Sequence, residues 1–264
     1  MLRGSIEHQG SNLNYTVSGR NHAPALVLLH PLGASSVVFD AERAQFEQFF
    51  RVVCCDMAGH GASSVPADSP RHRTLGDLAG DVLAVLDALS IERAHWCGVS
   101  IGGMIAVHVA AHAPKRVFRL VPANTAAYMG PREIWDERIA KVLAHGMQDI
   151  AAGAAARWFT PEFSARDPQT VERIVSLVRG TNPHGYVEAC GAIRDMDLRP
   201  VLAAVQAPTL VIAGARDAST PPERAEELRD GIIGADLAVL DASHLACVEL
   251  PEDFGTTVTD FLRE

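Results

Sequence analysis

The chain has 264 residues, 48% of them apolar, and a formal charge of −9. That length and apolar content suit one large core, a single α/β domain with an insertion, better than two independent domains. The acidic balance argues against nucleic acid or an anionic membrane as partner. No run nears the roughly 18 apolar residues of a membrane span, and the first residues lack a signal peptide's apolar stretch, so a cytoplasmic setting is expected. Self-association into a homo-oligomer is left open.

In chain order, residues 1–20 read as a hairpin, with alternation around Ile6 and again from Leu13 to Val17, closing at Ser18-Gly19. Pro24 opens Ala25-Leu26-Val27-Leu28-Leu29, a continuous apolar run of the kind a parallel strand covered on both faces requires. It ends in His30-Pro31-Leu32-Gly33, and an amphipathic stretch with Phe39, Phe46 and Phe49 follows. Arg51 to Asp56 is the next strand. After Gly59-His60-Gly61 and a Pro- and Ser-rich loop, Leu75, Leu78, Ala79, Val82, Leu83, Leu86 and Leu89 recur at spacings of three and four, which predicts a helix. A strand around Ala94–Val99, an alanine-rich helix stopped by Pro114 and a strand from Val117 to Pro122 extend the β–α alternation. A mostly parallel, doubly wound sheet is therefore expected.

From about 128 to 195 strand signals vanish, and Trp135, Trp158, Phe159 and Phe163 mix with Arg and Ala at helical spacing. This segment reads as a helical cap inserted between two parts of a core domain, 1–127 and 196–264. Alternation resumes with a strand from Pro208 to Gly214, a helix from Pro222 to about Asp230, a strand from Leu237 to Leu240 and a last helix near 254–262.

The chemistry centres on Gly98-Val99-Ser100-Ile101-Gly102, which joins a strand directly to a helix. A serine on so sharp a turn needs glycines where a Cβ would strike the neighbouring strand or helix, and the helix N-terminus behind it favours developing negative charge. Gly-x-Ser-x-Gly by itself is a weak pattern; the strand before it and the helix after it supply the context. A hydroxyl is a poor nucleophile until an imidazole accepts its proton, and the imidazole needs a carboxylate to orient it. Asp217 and His244 each follow an apolar strand, giving the order serine, acid, histidine. Asp241 and Asp197, the latter in a helical stretch, are rival acids, and either can serve as a surface charge or a cap. The oxyanion hole needs two backbone donors. One is the N–H of Ile101; the other comes from the loop after His30, where Pro31 has no N–H and Leu32 is the better candidate.

His108 and His112 stand at i and i+4, yet no third ligand accompanies them, so neither a metal nor a cofactor is expected. His30 and His60 read as histidines that hydrogen-bond the loops that carry them. The five cysteines, Cys54, Cys55, Cys97, Cys190 and Cys247, read as small buried hydrophobes rather than disulfides.

The loop His30-Pro31-Leu32-Gly33, the run Asp56 to Ser63, the elbow and the late Asp217 and His244 together resemble the α/β-hydrolase superfamily over essentially the whole chain. The wording from Cys97 to Met104, Asn124 to Ala127, Arg157 to Thr160, Gly185-Tyr186 with Ala192 to Arg199, and Ala242 to Leu245 is similar to that of 3-oxoadipate enol-lactonases. Two loops bordering the pocket depart from that family: His30-Pro31 stands where Asn-Ser is usual, and Met57-Ala58 where an arginine commonly precedes Gly59. The resemblance implies a cofactor-free serine hydrolase that opens a small lactone in aromatic catabolism, the β-ketoadipate pathway. Such a lactone carries a free carboxylate, so a cationic partner is expected in the cap. Arg138 and Arg157, accompanied by Trp135 and Trp158, lead Arg194 for that role. A carboxylesterase or C–C bond hydrolase, and a non-catalytic small-molecule receptor, are the alternatives; covalent labelling of Ser100 by a fluorophosphonate separates enzyme from receptor.

Overall fold

The structure, a computed structural model, describes residues 1–66 and 71–264. Part of the Pro- and Ser-rich loop, residues 67–70, lies outside them. The first half runs β1 (Leu2–His8), β2 (Ser11–Gly19), β3 (Ala25–Leu29), α1 (Arg43–Phe46), β4 (Arg51–Cys55), α2 (Leu75–Ala88), β5 (Ala94–Val99), α3 (Ile101–His112) and β6 (Val117–Ala123). Six helices follow: α4 (Arg132–His145), α5 (Gln148–Ala152), α6 (Ala154–Trp158), α7 (Pro161–Arg166), α8 (Pro168–Gly180) and α9 (Pro183–Asp195). The chain closes with β7 (Leu210–Gly214), α10 (Pro222–Gly231), β8 (Asp236–Leu240), α11 (Ala246–Glu249) and α12 (Pro251–Arg263).

Among the described residues, eight strands form one sheet in the order β1-β2-β4-β3-β5-β6-β7-β8. The pairs β1/β2 and β2/β4 are antiparallel and the others parallel. All residues of β3 and β5 are buried, as strands covered on both faces in the middle of a parallel sheet must be; β3 is a continuous apolar run, and β5 carries one polar residue, His95. At the edge that cover is lost, and Asp236 and Val239 of β8 are exposed.

Local signals set the helix ends. Thr74 and Asp77 form a reciprocal capping box at the start of α2, the Thr74 hydroxyl accepting the Asp77 N–H and the Asp77 carboxylate the Thr74 N–H. Proline occupies the first turn of α7, α8, α9 and α12, where its missing N–H costs nothing. That is why the last helix begins at Pro251 rather than near Phe254. The amphipathic stretch resolves into a short 3-10 turn, Ser36–Phe39, and α1, which bury Phe39 and Phe46 completely.

The inserted helices pack among themselves, α4 against α9 and α5 against α8. Their apolar spacing is carried best by α8, which buries Val171, Ile174, Val175 and Val178. All five cysteines are buried and free. Among the described residues no helix is long and apolar enough to cross a membrane.

Candidate active site

Ser100 joins β5 to α3 at φ 57° and ψ −122°, a conformation that L-residues adopt only where the surroundings impose it. Its N–H donates to the Ala123 carbonyl at 3.0 Å, and its own carbonyl accepts the Thr125 hydroxyl at 2.7 Å. The two glycines do what the sequence requires of them. A Cβ on Gly98 would lie 2.2 Å from the Gly102 carbonyl oxygen, and one on Gly102 would lie 2.2 Å from that of Leu29. Helix α3 therefore approaches the sheet closely enough to aim its first N–H groups past Ser100.

Asp217 and His244 meet although 27 residues separate them: the loops after β7 and β8 bring Oδ2 of Asp217 to 2.8 Å from Nδ1 of His244. Nδ1–H donates to the carboxylate, so Nε2 carries the free lone pair. Asp217 is 3% exposed and collects four further donors. Oδ1 accepts the N–H groups of Ser219 and Thr220 at 2.8 and 2.9 Å; Oδ2 accepts the Thr220 hydroxyl at 2.7 Å and the Asn124 amide at 3.1 Å. Burial pushes its pKa up, but the His244 charge and the hydrogen bonds from His244 and Thr220 outweigh it and bring the value down to about 2. Asp217 stays ionised across the physiological range.

Asn124 and Thr220 carried no assigned role at the sequence level. A readable signal existed for Thr220, since an aspartate followed by small polar residues commonly accepts N–H groups two and three positions on. Asn124 had none: it reaches Asp217 across 93 residues, and the same amide holds the Ser243 carbonyl at 3.1 Å.

The rival acids stand elsewhere. Asp241 pairs with Arg216 on the surface, and Asp197, just beyond α9 rather than within a helix, pairs with Arg199. His108 and His112 stack on each other with ring centroids 4.1 Å apart, and His112 bonds the His108 carbonyl.

Ser100 and His244 line one cavity of about 320 Å³, and Leu32 lines it with them. The Pro31–Ala34 turn closes with an Ala34 N–H to Pro31 carbonyl bond of 3.2 Å, which leaves the Leu32 N–H outside the turn's own bond. Ile101 is the first residue of α3, so its N–H has no partner within the helix. Two anchors hold the Leu32 loop. His30 donates from Nδ1 to the Pro31 carbonyl at 2.8 Å while Nε2 accepts the Met57 N–H at 3.0 Å, and the Thr181 hydroxyl donates to the Gly33 carbonyl at 2.9 Å.

His60 is fully buried behind this loop and donates from Nδ1 to the Ala58 carbonyl at 3.1 Å. Burial, then the neighbouring His30, lower its pKa to about 3 from an ordinary 6.5. Between those values the unfolded chain binds the extra proton and the folded chain does not, so this contribution is complete above pH 6.5 and stability is lost as pH falls. Denaturant unfolding should show stability lower by on the order of 1 kcal/mol at pH 5.5 than at pH 7.5 from this histidine alone, and His60→Asn should flatten the slope.

The inserted helices supply the rest of the cavity wall: Trp135, Arg138, Arg157 and Trp158 all line it. The Arg138 guanidinium sits 4.7 Å from the Trp135 ring centroid, and Arg157 donates to the Ile150 carbonyl at 2.9 Å. Burial, then the nearby Arg138 charge, lower the Arg157 pKa. Among the described residues neither guanidinium forms an ion pair with a carboxylate. Arg194 departs from expectation: it does not line the cavity, because Asp136 at 2.7 Å and Asp195 at 2.8 Å hold its guanidinium in a surface ion-pair cluster. Helical spacing placed it beside aromatic residues in sequence, whereas its position on α9 turns it toward α4.

Over residues 24–251 the chain matches the family model described as alpha/beta hydrolase fold. It is 37% identical over 262 residues to 3-oxoadipate enol-lactonase 2 of Acinetobacter baylyi, covering 99% of this chain and 97% of that one. Among solved structures, the enol-lactonase from Burkholderia xenovorans LB400 superposes with a TM-score of 0.95 at 37% identity, covering 99% of this chain and 100% of that one. A hydrolase from Pseudomonas aeruginosa PA01 gives a TM-score of 0.94 at 43% identity, covering 98% of each.

Proposed function

The chain belongs to the alpha/beta hydrolase fold family and is an ester-hydrolysing enzyme of the lactonase type; we propose that its substrate is a small lactone bearing a free carboxylate, 3-oxoadipate enol-lactone foremost. One observation carries the choice of substrate: the cavity that holds Ser100 and His244 also holds two arginines without a carboxylate partner among the described residues. Both guanidiniums are half-buried in the cavity wall, and a bound substrate that covers them removes more of their water, a cost that a substrate carboxylate offsets by supplying a charged acceptor. In this reading residues 1–127 and 196–264 form the core, and 128–195 is a cap whose Trp135, Arg138, Arg157 and Trp158 bind the acid end.

The chemistry follows the geometry. Ser100 Oγ attacks the lactone carbonyl carbon while His244 Nε2 takes its proton, and Asp217 stabilises the resulting imidazolium. The N–H groups of Leu32 and Ile101 receive the oxyanion. Collapse breaks the ring C–O bond, and the enolate leaves readily because its charge is delocalised, taking the proton from His244. Water, deprotonated by His244, then attacks the acyl-serine; the new carboxylate is released with Ser100 restored, and the enol product tautomerises to the ketone.

The test compares the acidic lactone with an uncharged ester. Arg138→Ala and Arg157→Ala are expected to raise KM for the acidic lactone by about 10- to 100-fold in at least one variant, as for a charge-assisted hydrogen bond of roughly 1.5–3 kcal/mol. Hydrolysis of the uncharged ester should barely change, and Arg194→Ala should act like wild type on both. If neither cavity arginine discriminates, the general carboxylesterase reading replaces this one.

A further inference from the structure

Glu249, at the C-terminal end of α11, is 4% exposed and takes no part in the chemistry just described. Its Oε1 accepts the Thr160 N–H at 2.8 Å and the Ser243 N–H at 3.3 Å, and its Oε2 accepts the Thr160 hydroxyl at 3.0 Å. All three donors belong to two other segments: the residue directly before His244, and the residue that follows Trp158-Phe159 in the inserted helices. A parallel bond joins the same segments, the Leu245 N–H donating to the Trp158 carbonyl at 3.1 Å. Between these bonds sit the Trp158 and His244 rings, 6.5 Å apart between centroids, both lining the cavity.

A buried carboxylate is costly to maintain and is kept only where donors converge on it. Packing alone could be served by an apolar residue of similar size; what the carboxylate adds is a fixed distance between two segments 83 residues apart in sequence, Thr160 and Ser243. We propose that Glu249 is a positioning residue for the reaction: it clamps the Ser243–Leu245 loop to the 158–160 segment, so that the base His244 and the pocket wall Trp158 are held in one register. The proposal rests on the reading of His244 as general base. Asp217 fixes the tautomer and tilt of the imidazole from one side, and Glu249 fixes the backbone from which that imidazole projects. A displacement of about 1 Å in such a group costs on the order of 100-fold in rate, whereas binding of a small ester needs no such accuracy.

The experiment measures kcat and KM on a neutral ester, per folded enzyme counted by circular dichroism and by exhaustive fluorophosphonate labelling. Glu249→Ala is expected to lower kcat by about 10- to 100-fold with KM changed by less than about threefold. Glu249→Gln keeps an amide oxygen for the two N–H groups and should recover most of the loss. Should Glu249→Ala fail to fold, Thr160→Pro decides: the Thr160 φ of −69° already suits proline, and the change removes both donors of that segment while leaving Glu249 in place. A folded Glu249→Ala or Thr160→Pro enzyme with kcat within twofold of wild type overturns the proposal. His244→Ala is run alongside: if it stays active, the reading of the base has failed, whereas an inactive His244→Ala beside a fully active Glu249→Ala defeats the clamp alone.

Discussion

Ser100→Ala and His244→Ala are each expected to lower kcat by roughly 10³-fold or more, and the double variant is expected to lose little beyond either single change. The reason is that in the proposed mechanism the two groups share one proton. Without the imidazole the hydroxyl stays protonated and unreactive, and without the hydroxyl the imidazole has no nucleophile to activate, so the second deletion removes a function already lost. In the proposed mechanism the activity that remains comes from substrate binding and from the Leu32 and Ile101 N–H groups, neither of which the substitutions touch. Ser100 is held by its own backbone bonds to Ala123 and Thr125 rather than by its hydroxyl, so Ser100→Ala should keep its fold and melting temperature. Steady-state kinetics on purified single and double variants give the answer, and additive losses in the double variant would defeat the assignment.

Asp217→Asn should cost about 10³- to 10⁴-fold in kcat with KM nearly unchanged. The donors around the carboxylate decide this. The Ser219 and Thr220 N–H groups are fixed by the backbone and both point at Oδ1, so the amide oxygen of an asparagine must settle there. Its NH₂ then occupies the Oδ2 position, facing the Asn124 amide, which the Ser243 carbonyl prevents from turning over, and facing His244 Nδ1. Two donors cannot share a hydrogen bond, so the imidazole relieves the conflict by moving its proton to Nε2. That is the wrong tautomer for accepting the Ser100 proton. Asp241→Asn, altered on the surface beside Arg216, should leave kcat within a factor of about two, and a reversal of the two results would transfer the role to Asp241.

Much of this was written locally. The apolar run of β3 announced a parallel sheet because a strand covered on both faces has no polar side to display, and the β–α alternation that includes β5 extended it. Whereas the order serine, acid, histidine drew its meaning from the resemblance to α/β-hydrolases, the glycines flanking Ser100 and the strand-end positions of Asp217 and His244 followed from backbone sterics and local patterning, which act over a few residues. The inserted segment was legible as helical for the same reason. What only the tertiary structure decided is which side chains meet. Periodicity reports which face of a helix is apolar but is silent on the neighbour that face will find, so the neighbouring tryptophans could rank Arg138 and Arg157 ahead of Arg194 without showing where any of the three side chains goes. Packing α4 against α9 sent the first to the cavity and gave the last to Asp136 and Asp195, while the position of α6 set Arg157 beside Ile150. Asn124 and Glu249 were hidden on the same account: Asn124 bonds Asp217 across 93 residues and Glu249 bonds Thr160 across 89, and hydrogen bonds that close loops of that length leave no trace in the spacing of either end.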